Sequence, residues 1–202
     1  MNKNVVAIIG IETIRDSDGI VKKFSETFLN NIRTWKKDNP KHNLVIIDAL
    51  KYLKIENPLD AIWKTVCESY DVIDQLIYFG HSSDESLIVF SHTLEELSVE
   101  ERWFRAGFHY QAPFAKDAEI FLYGCHAGGR NGKKWDTSLA QIIANKTNRT
   151  VWAYVSQSYQ IEKPKGRFYQ VSDDKIGLVQ FTHNNEKVVI DTELPKNVPI
   201  GK

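Results

Sequence analysis

Cysteine is scarce in this 202-residue chain, with only Cys67 and Cys125. Two thiols give no disulfide framework, so a reducing, cytoplasmic compartment is expected. An excess of charge of one sign is also missing: 26 Lys and Arg balance 26 Asp and Glu. A chain without net charge offers no electrostatic case for nucleic acid or an anionic membrane as its main partner. Long apolar runs are absent as well. Val5–Ile11 is too short to cross a bilayer, and Glu12 ends it without a small-residue cleavage site. Paired metal-ligand motifs, Gly-x-Ser-x-Gly and phosphate-binding P-loop strings do not occur, so no metal or organic cofactor is expected. What remains is globular composition, 42% hydrophobic and 26% charged.

The apolar residues alternate between two patterns. Short continuous runs at 5–9, 44–47, 76–79, 120–123 and 151–155 read as strands covered on both faces. Between them, Ile20, Val21, Phe24, Phe28, Ile32 and Trp35 recur at helical spacing behind the polar loop 12–19, with Ser17 or Asp18 to cap. Asn57-Pro58 opens a second helix, with Leu59, Ile62, Trp63, Val66 and Tyr70 on one face. A third helix is predicted around 137–146. This alternation predicts an α/β fold, a three-layer α/β/α with a mostly parallel sheet.

An insertion, Ser82–Asp117, carries a hairpin arm at 87–90 and a capping-box pattern, Ser98 with Glu101, before Trp103 and Phe104. The α/β domain is expected over 1–160. Residues 161–202 form a β extension packed on the same domain, with strands at 167–171, 177–182 and 187–191. The last two are expected to pair through Asn184-Asn185 as a C-terminal β-hairpin.

Function in open α/β sheets collects beyond the carboxyl ends of the strands. Two predicted strands end there in reactive side chains, Tyr78-Phe79-Gly80-His81 and Leu122-Tyr123-Gly124-Cys125. Adjacent strands lie about 4.8 Å apart, which would bring His81 and Cys125 to one rim. An imidazole beside a thiol can take its proton or stabilise the thiolate, which creates a nucleophile. The glycines permit a sharp departure from each strand, and Gly128-Gly129 is expected to leave room for a substrate backbone. Cys67 is read as a core residue on the apolar face of its helix. His42, His92, His109 and His183 are read as ordinary loop histidines, and alternation turns His126 away from the site.

The strings Leu76-Ile-Tyr-Phe-Gly-His-Ser and Ile120-Phe-Leu-Tyr-Gly-Cys resemble those of clan CD cysteine peptidases. That group comprises caspases, metacaspases, gingipains, separases and the bacterial CHAT-type domains. The separation of His81 and Cys125 is of the same order as the caspase spacing of about 50 residues. The continuation through Gly132, the third helix and the fifth strand looks most like bacterial caspase-like domains. The resemblance implies a caspase-like fold and a cysteine endopeptidase acting on peptide or protein substrates. His81 would be base and Cys125 nucleophile, with backbone groups at Ser82 and Gly124 facing the oxyanion. The group normally has Gly after the histidine, and a loop demanding positive φ there would strain Ser82. By the same resemblance, Arg15, Asp16, Ser156 and Gln157 fall in segments that line the substrate pocket. Arg15 would favour an acidic side chain; Asp16 or Asp18 would favour Lys or Arg.

Two alternatives remain beside this reading. Cys125, Gly128 and Arg130 match the Cys-x-x-Gly-x-Arg loop of rhodanese-type sulfurtransferases, although their upstream signature is absent. A catalytically inactive caspase-like module could instead bind a partner, or a second copy as a dimer, through Trp103, Phe104, Phe108 and Tyr110.

Overall fold

The computed structural model describes residues 2–15, 21–83, 87–89, 112–129, 138–163, 167–172 and 177–183. Five apolar runs form parallel strands: β1 (Asn4–Ile9), β4 (Asn43–Asp48), β5 (Ile73–Phe79), β8 (Phe114–Tyr123) and β9 (Thr150–Tyr154). They lie in the order β4-β1-β5-β8-β9. Their side chains alternate between two cores. Val6, Ile8, Leu76, Tyr78, Ile120, Leu122, Val151 and Ala153 face one side. Val5, Ala7, Ile9, Ile77, Phe79, Phe121, Tyr123, Trp152 and Tyr154 face the other. Burial on both faces explains the unbroken apolar runs of β1, β5, β8 and β9, whereas β4, expected to be covered too, is an edge strand with Ile46 exposed and Leu44 and Val45 only partly buried.

Helices α2 (Pro58–Ser69) and α3 (Leu139–Thr147) cover the first face with Leu59, Ile62, Trp63, Val66, Leu139, Ala140 and Ile143. Helix α1 (Glu26–Asp38) covers the second with Phe28, Ile32 and Trp35. The fold is therefore a three-layer α/β/α. Local chemistry sets the helix ends. Pro58 stands at the start of α2, Ser138 accepts from Gln141 N–H at 3.3 Å, and Lys36 and Lys37 sit in the last turn of α1.

Three elements differ from expectation. The loop after β1 is a hairpin, β2 (Glu12–Arg15) antiparallel to β3 (Val21–Phe24), so α1 begins at Glu26 and not near residue 20. Antiparallel backbone pairing has overridden the helical spacing of Val21 and Phe24. Second, β10 (Ser158–Lys163) pairs with β11 (Arg167–Ser172) as a hairpin over α1. Phe168 N–H donates to Thr34 Oγ1 at 2.9 Å, and Arg167 meets Asp38 at 3.1 Å. Third, β12 (Leu178–Phe181) joins the main sheet antiparallel to β9 as its sixth strand. Leu178 on one face and Val179 and Phe181 on the other enter both cores. The proposed partner at 187–191 lies outside the described residues, as do Ser98 and Glu101 of the capping box and Trp103, Phe104, Phe108 and Tyr110 of the insertion. Its hairpin arm is present in part: β6 (His81–Ser82) pairs with β7 (Leu87–Ile88).

Candidate active site

The chain runs from β1 outward to β4 and then back across to β5, so the switch in winding lies between β1 and β5. Ile9 is level with Phe79, and Phe79 with Tyr123. The strands β5 and β8 therefore end side by side. His81 leaves one and Cys125 the other, each after a glycine.

A hydrogen bond ties the two exits together: Ser82 Oγ donates to Cys125 O at 2.7 Å. The contact is so close that a Cβ on Gly124 would lie 2.2 Å from Ser82 Oγ. Gly124 is thus a requirement of packing, because any side chain would drive the two exits apart. Ser82 does not carry the strain its position raised. Among the described residues other than glycine, positive φ occurs at Asn57, His126 and Asn148.

His81 is partly buried, and the edge-on ring of Phe28 lies 5.5 Å from it between centroids. Burial lowers its pKa, since a low-polarity surround disfavours imidazolium; the Glu12 carboxylate pulls the other way. The ring is accordingly neutral near pH 7, the state a general base needs.

Cys125 is partly exposed and free. Its Sγ accepts from Ser158 N–H at 3.3 Å and lies 3.6 Å from both Ser158 O and Ser158 Oγ. Among the described residues the sulfur's hydrogen-bond partners are these atoms of Ser158, and not the His81 ring.

The turn after Cys125 is braced from within. His126 N–H donates to Ser156 O, Gly128 N–H to Tyr154 O and Gly129 N–H to His126 O, at 2.8–2.9 Å, while Ala127 O accepts from Ala140 N–H at the start of α3. His126 takes the left-handed conformation, φ 58°, and its Nδ1 is buried without a hydrogen-bond partner among the described residues. Gly128 does not provide an approach for a substrate backbone. A Cβ there would lie 2.8 Å from Phe181 Cζ and 3.1 Å from Val155 Cγ1, so this glycine admits core side chains.

Ser156 is buried, with its carbonyl on the His126 amide, whereas Gln157 is exposed. Arg15 ends β2, and Asp16 lies outside the described residues. Cys67 is only partly buried, which corrects its reading as a core residue; burial and Glu68 raise its pKa. Sequence reasoning missed Ser158 and Glu12. Nothing local marks either, because long-range pairing brings one to the thiol and a hairpin brings the other near the imidazole. Among the described residues, no three His, Cys, Asp or Glu side chains are grouped to hold a metal ion, and no helix is long and apolar enough to cross a membrane. No protein-family model matches the chain, and comparison with curated proteins finds no significant match.

Proposed function

We propose that this chain is a caspase-like cysteine endopeptidase acting on peptide or protein substrates in the cytoplasm, with His81 and Cys125 as its dyad. The observation that carries this reading is the joined exit of β5 and β8. Two residue types that together make a thiol nucleophile leave level, neighbouring strands, and Ser82 bonds one exit to the other.

The steps follow from the groups present. His81, neutral, takes the Cys125 proton as Sγ attacks the scissile carbonyl carbon. Backbone N–H groups at Ser82 and Gly124 face the oxyanion that forms. The imidazolium then protonates the leaving amine as the C–N bond breaks, leaving a thioester on Cys125. Water, deprotonated by His81, cleaves the thioester and restores the thiol. Sγ contacts Ser158, so the working geometry requires the sulfur to turn toward His81; catalytic hydrogen bonds commonly tighten only in the substrate complex.

That resting contact also favours a second reading, a catalytically inactive module whose thiol is only a structural partner of β10. The sulfurtransferase reading has less support here, and its Arg130 lies outside the described residues. An anion-cradling loop needs inward-pointing amides, and those of His126, Gly128 and Gly129 are bonded within the protein.

Cleavage of a peptide library separates the readings. Wild-type protein should cleave, and Cys125→Ala and His81→Ala should each abolish cleavage with circular dichroism unchanged. Full activity in either variant sinks the dyad.

A further inference from the structure

We propose that the hydroxyls of Tyr78 and Ser82 are positioning groups for the dyad, each holding the backbone of one dyad residue. The proposal rests on the peptidase reading of His81 and Cys125. Tyr78 Oη donates to His81 O at 2.7 Å, and Ser82 Oγ donates to Cys125 O at the same distance. Both side chains are buried at the rim. A buried hydroxyl without an acceptor is costly, so each bond is held firmly.

The space for both hydroxyls is made by glycine. A Cβ on Gly80 would lie 2.3 Å from Tyr78 Oη, and one on Gly124 would lie 2.2 Å from Ser82 Oγ. The two strand exits thus share one construction: a hydroxyl occupies the volume a side chain would fill and grips the carbonyl of the reactive residue. Tyr78, within β5, sets the exit of its own strand. Ser82, beyond that exit, sets the exit of β8. Both bonds end on main-chain carbonyls, so the hydroxyls act through the backbone that aims the imidazole and the thiol. Ser82 therefore has a task of its own where the resembled peptidases carry Gly.

Such a role predicts loss of turnover at nearly constant substrate affinity. Misplacement of a reacting group by about 1 Å can lower a rate by about 100-fold. Tyr78→Phe and Ser82→Ala each delete one hydroxyl and little volume. Each should lower kcat by about 10-fold or more, with KM changed by less than about twofold.

Iodoacetamide alkylation supplies a readout independent of substrate. In a Cys67→Ser background Cys125 is the only thiol, and its alkylation should be fast, dependent on His81, and slowed by either deletion. Thermal midpoints report folding for each variant. If alkylation is fast and His81-dependent yet equal in Tyr78→Phe, Ser82→Ala and the parent, the positioning role is wrong and the dyad stands. If each deletion raises KM as much as it lowers kcat, in step with lost thermal stability, the hydroxyls are merely structural and the proposal is overturned. If the parent thiol reacts no faster than free cysteine and ignores His81→Ala, the proposal and the peptidase reading fall together.

Discussion

Around Glu119 at the amino rim of the central sheet, and at the exits of β5 and β8 on its carboxyl rim, neighbouring strands are tied together by different polar groups. At the amino rim a single carboxylate gathers partners from neighbouring strands. Glu119 accepts from Lys3 Nζ at 3.0 Å, Gln75 Nε2 at 3.2 Å and Trp152 Nε1 at 3.3 Å. Nearby, Asp74 accepts from the Asn4 amide at 2.7 Å. Here the side chains are the acceptors, and satisfying them pins the strands. At the carboxyl rim, where β5 and β8 end, the main-chain carbonyls of His81 and Cys125 accept from uncharged hydroxyls. His81 and Cys125 are tied there through their backbone. Side-chain acceptors pin the strands at one rim, and main-chain acceptors restrain the two strand exits at the other.

Four outcomes test that contrast, beginning with the most severe. Cys125→Ala and His81→Ala should reduce peptide cleavage to background, whereas Glu119→Gln should leave the alkylation rate of Cys125 within about twofold of wild type. A large loss of thiol reactivity in Glu119→Gln would show that the rims are coupled.

Gly124→Ala comes next. Its new methyl meets Ser82, and overpacking of this kind costs about 1–3 kcal/mol in urea unfolding. Adding Ser82→Gly should recover part of that loss, because Ser82 supplies the two nearest colliding atoms. A double variant no more stable than Gly124→Ala would remove the steric explanation.

At the amino rim, Glu119→Ala should destabilise the fold by about 1–3 kcal/mol, the range for a partly buried charged acceptor losing its donors. Lys3→Ala should cost under about 1 kcal/mol, since this ion pair is partly solvated. Equal losses would mean that Gln75 and Trp152 add little to the hub.

The smallest expected effect is on pH dependence. Burial lowers the folded pKa of His81, so below the ordinary value of about 6.5 the unfolded chain binds the proton more readily. Stability contributed at this site is complete above that value and falls as the pH drops through the lower folded value. His42 titrates in the same sense, from burial and the nearby Lys3 and Lys36, so the comparison is with His81→Gln, which retains His42. The stability difference between the two proteins should shift against wild type on acidification from pH 7 to 5, and the acid limb of kcat/KM should lie below pH 6.5. An acid limb above 6.5 contradicts a buried neutral base.

Much of this arrangement can be read from residues alone. Runs such as Val5–Ile9 and Ile120–Tyr123 are apolar at every position because both faces are covered, and that pattern needs no partner to be recognised. The helices at 58–69 and 139–147 announce themselves by Pro58 and by the periodic Leu139, Ile142 and Ile143. Elements fixed by pairing were less legible. Val21 and Phe24 fit a helix as well as a strand, and their pairing with Glu12–Arg15 decided the matter. Leu178–Phe181 was expected to pair with 187–191, which lies outside the described residues, whereas its pairing with β9 was not foreseen. The site divides in the same way: His81 and Cys125 stood out by their place after strand and glycine, whereas Ser158 reached the thiol only through the path of β10.

The sequence by itself determined the five apolar strand runs of the parallel sheet, the helices at 58–69 and 139–147 and the places of His81 and Cys125 after strand and glycine, because apolar period, caps and glycine punctuation act over a few neighbouring positions. Tertiary structure alone decided that β5 and β8 adjoin in level register, that Ser82 bonds across to Cys125, and that Ser158 lies on the sulfur. Those contacts join residues more than 30 positions apart. No local propensity specifies them; they exist only once burial of both sheet faces has set the strand order.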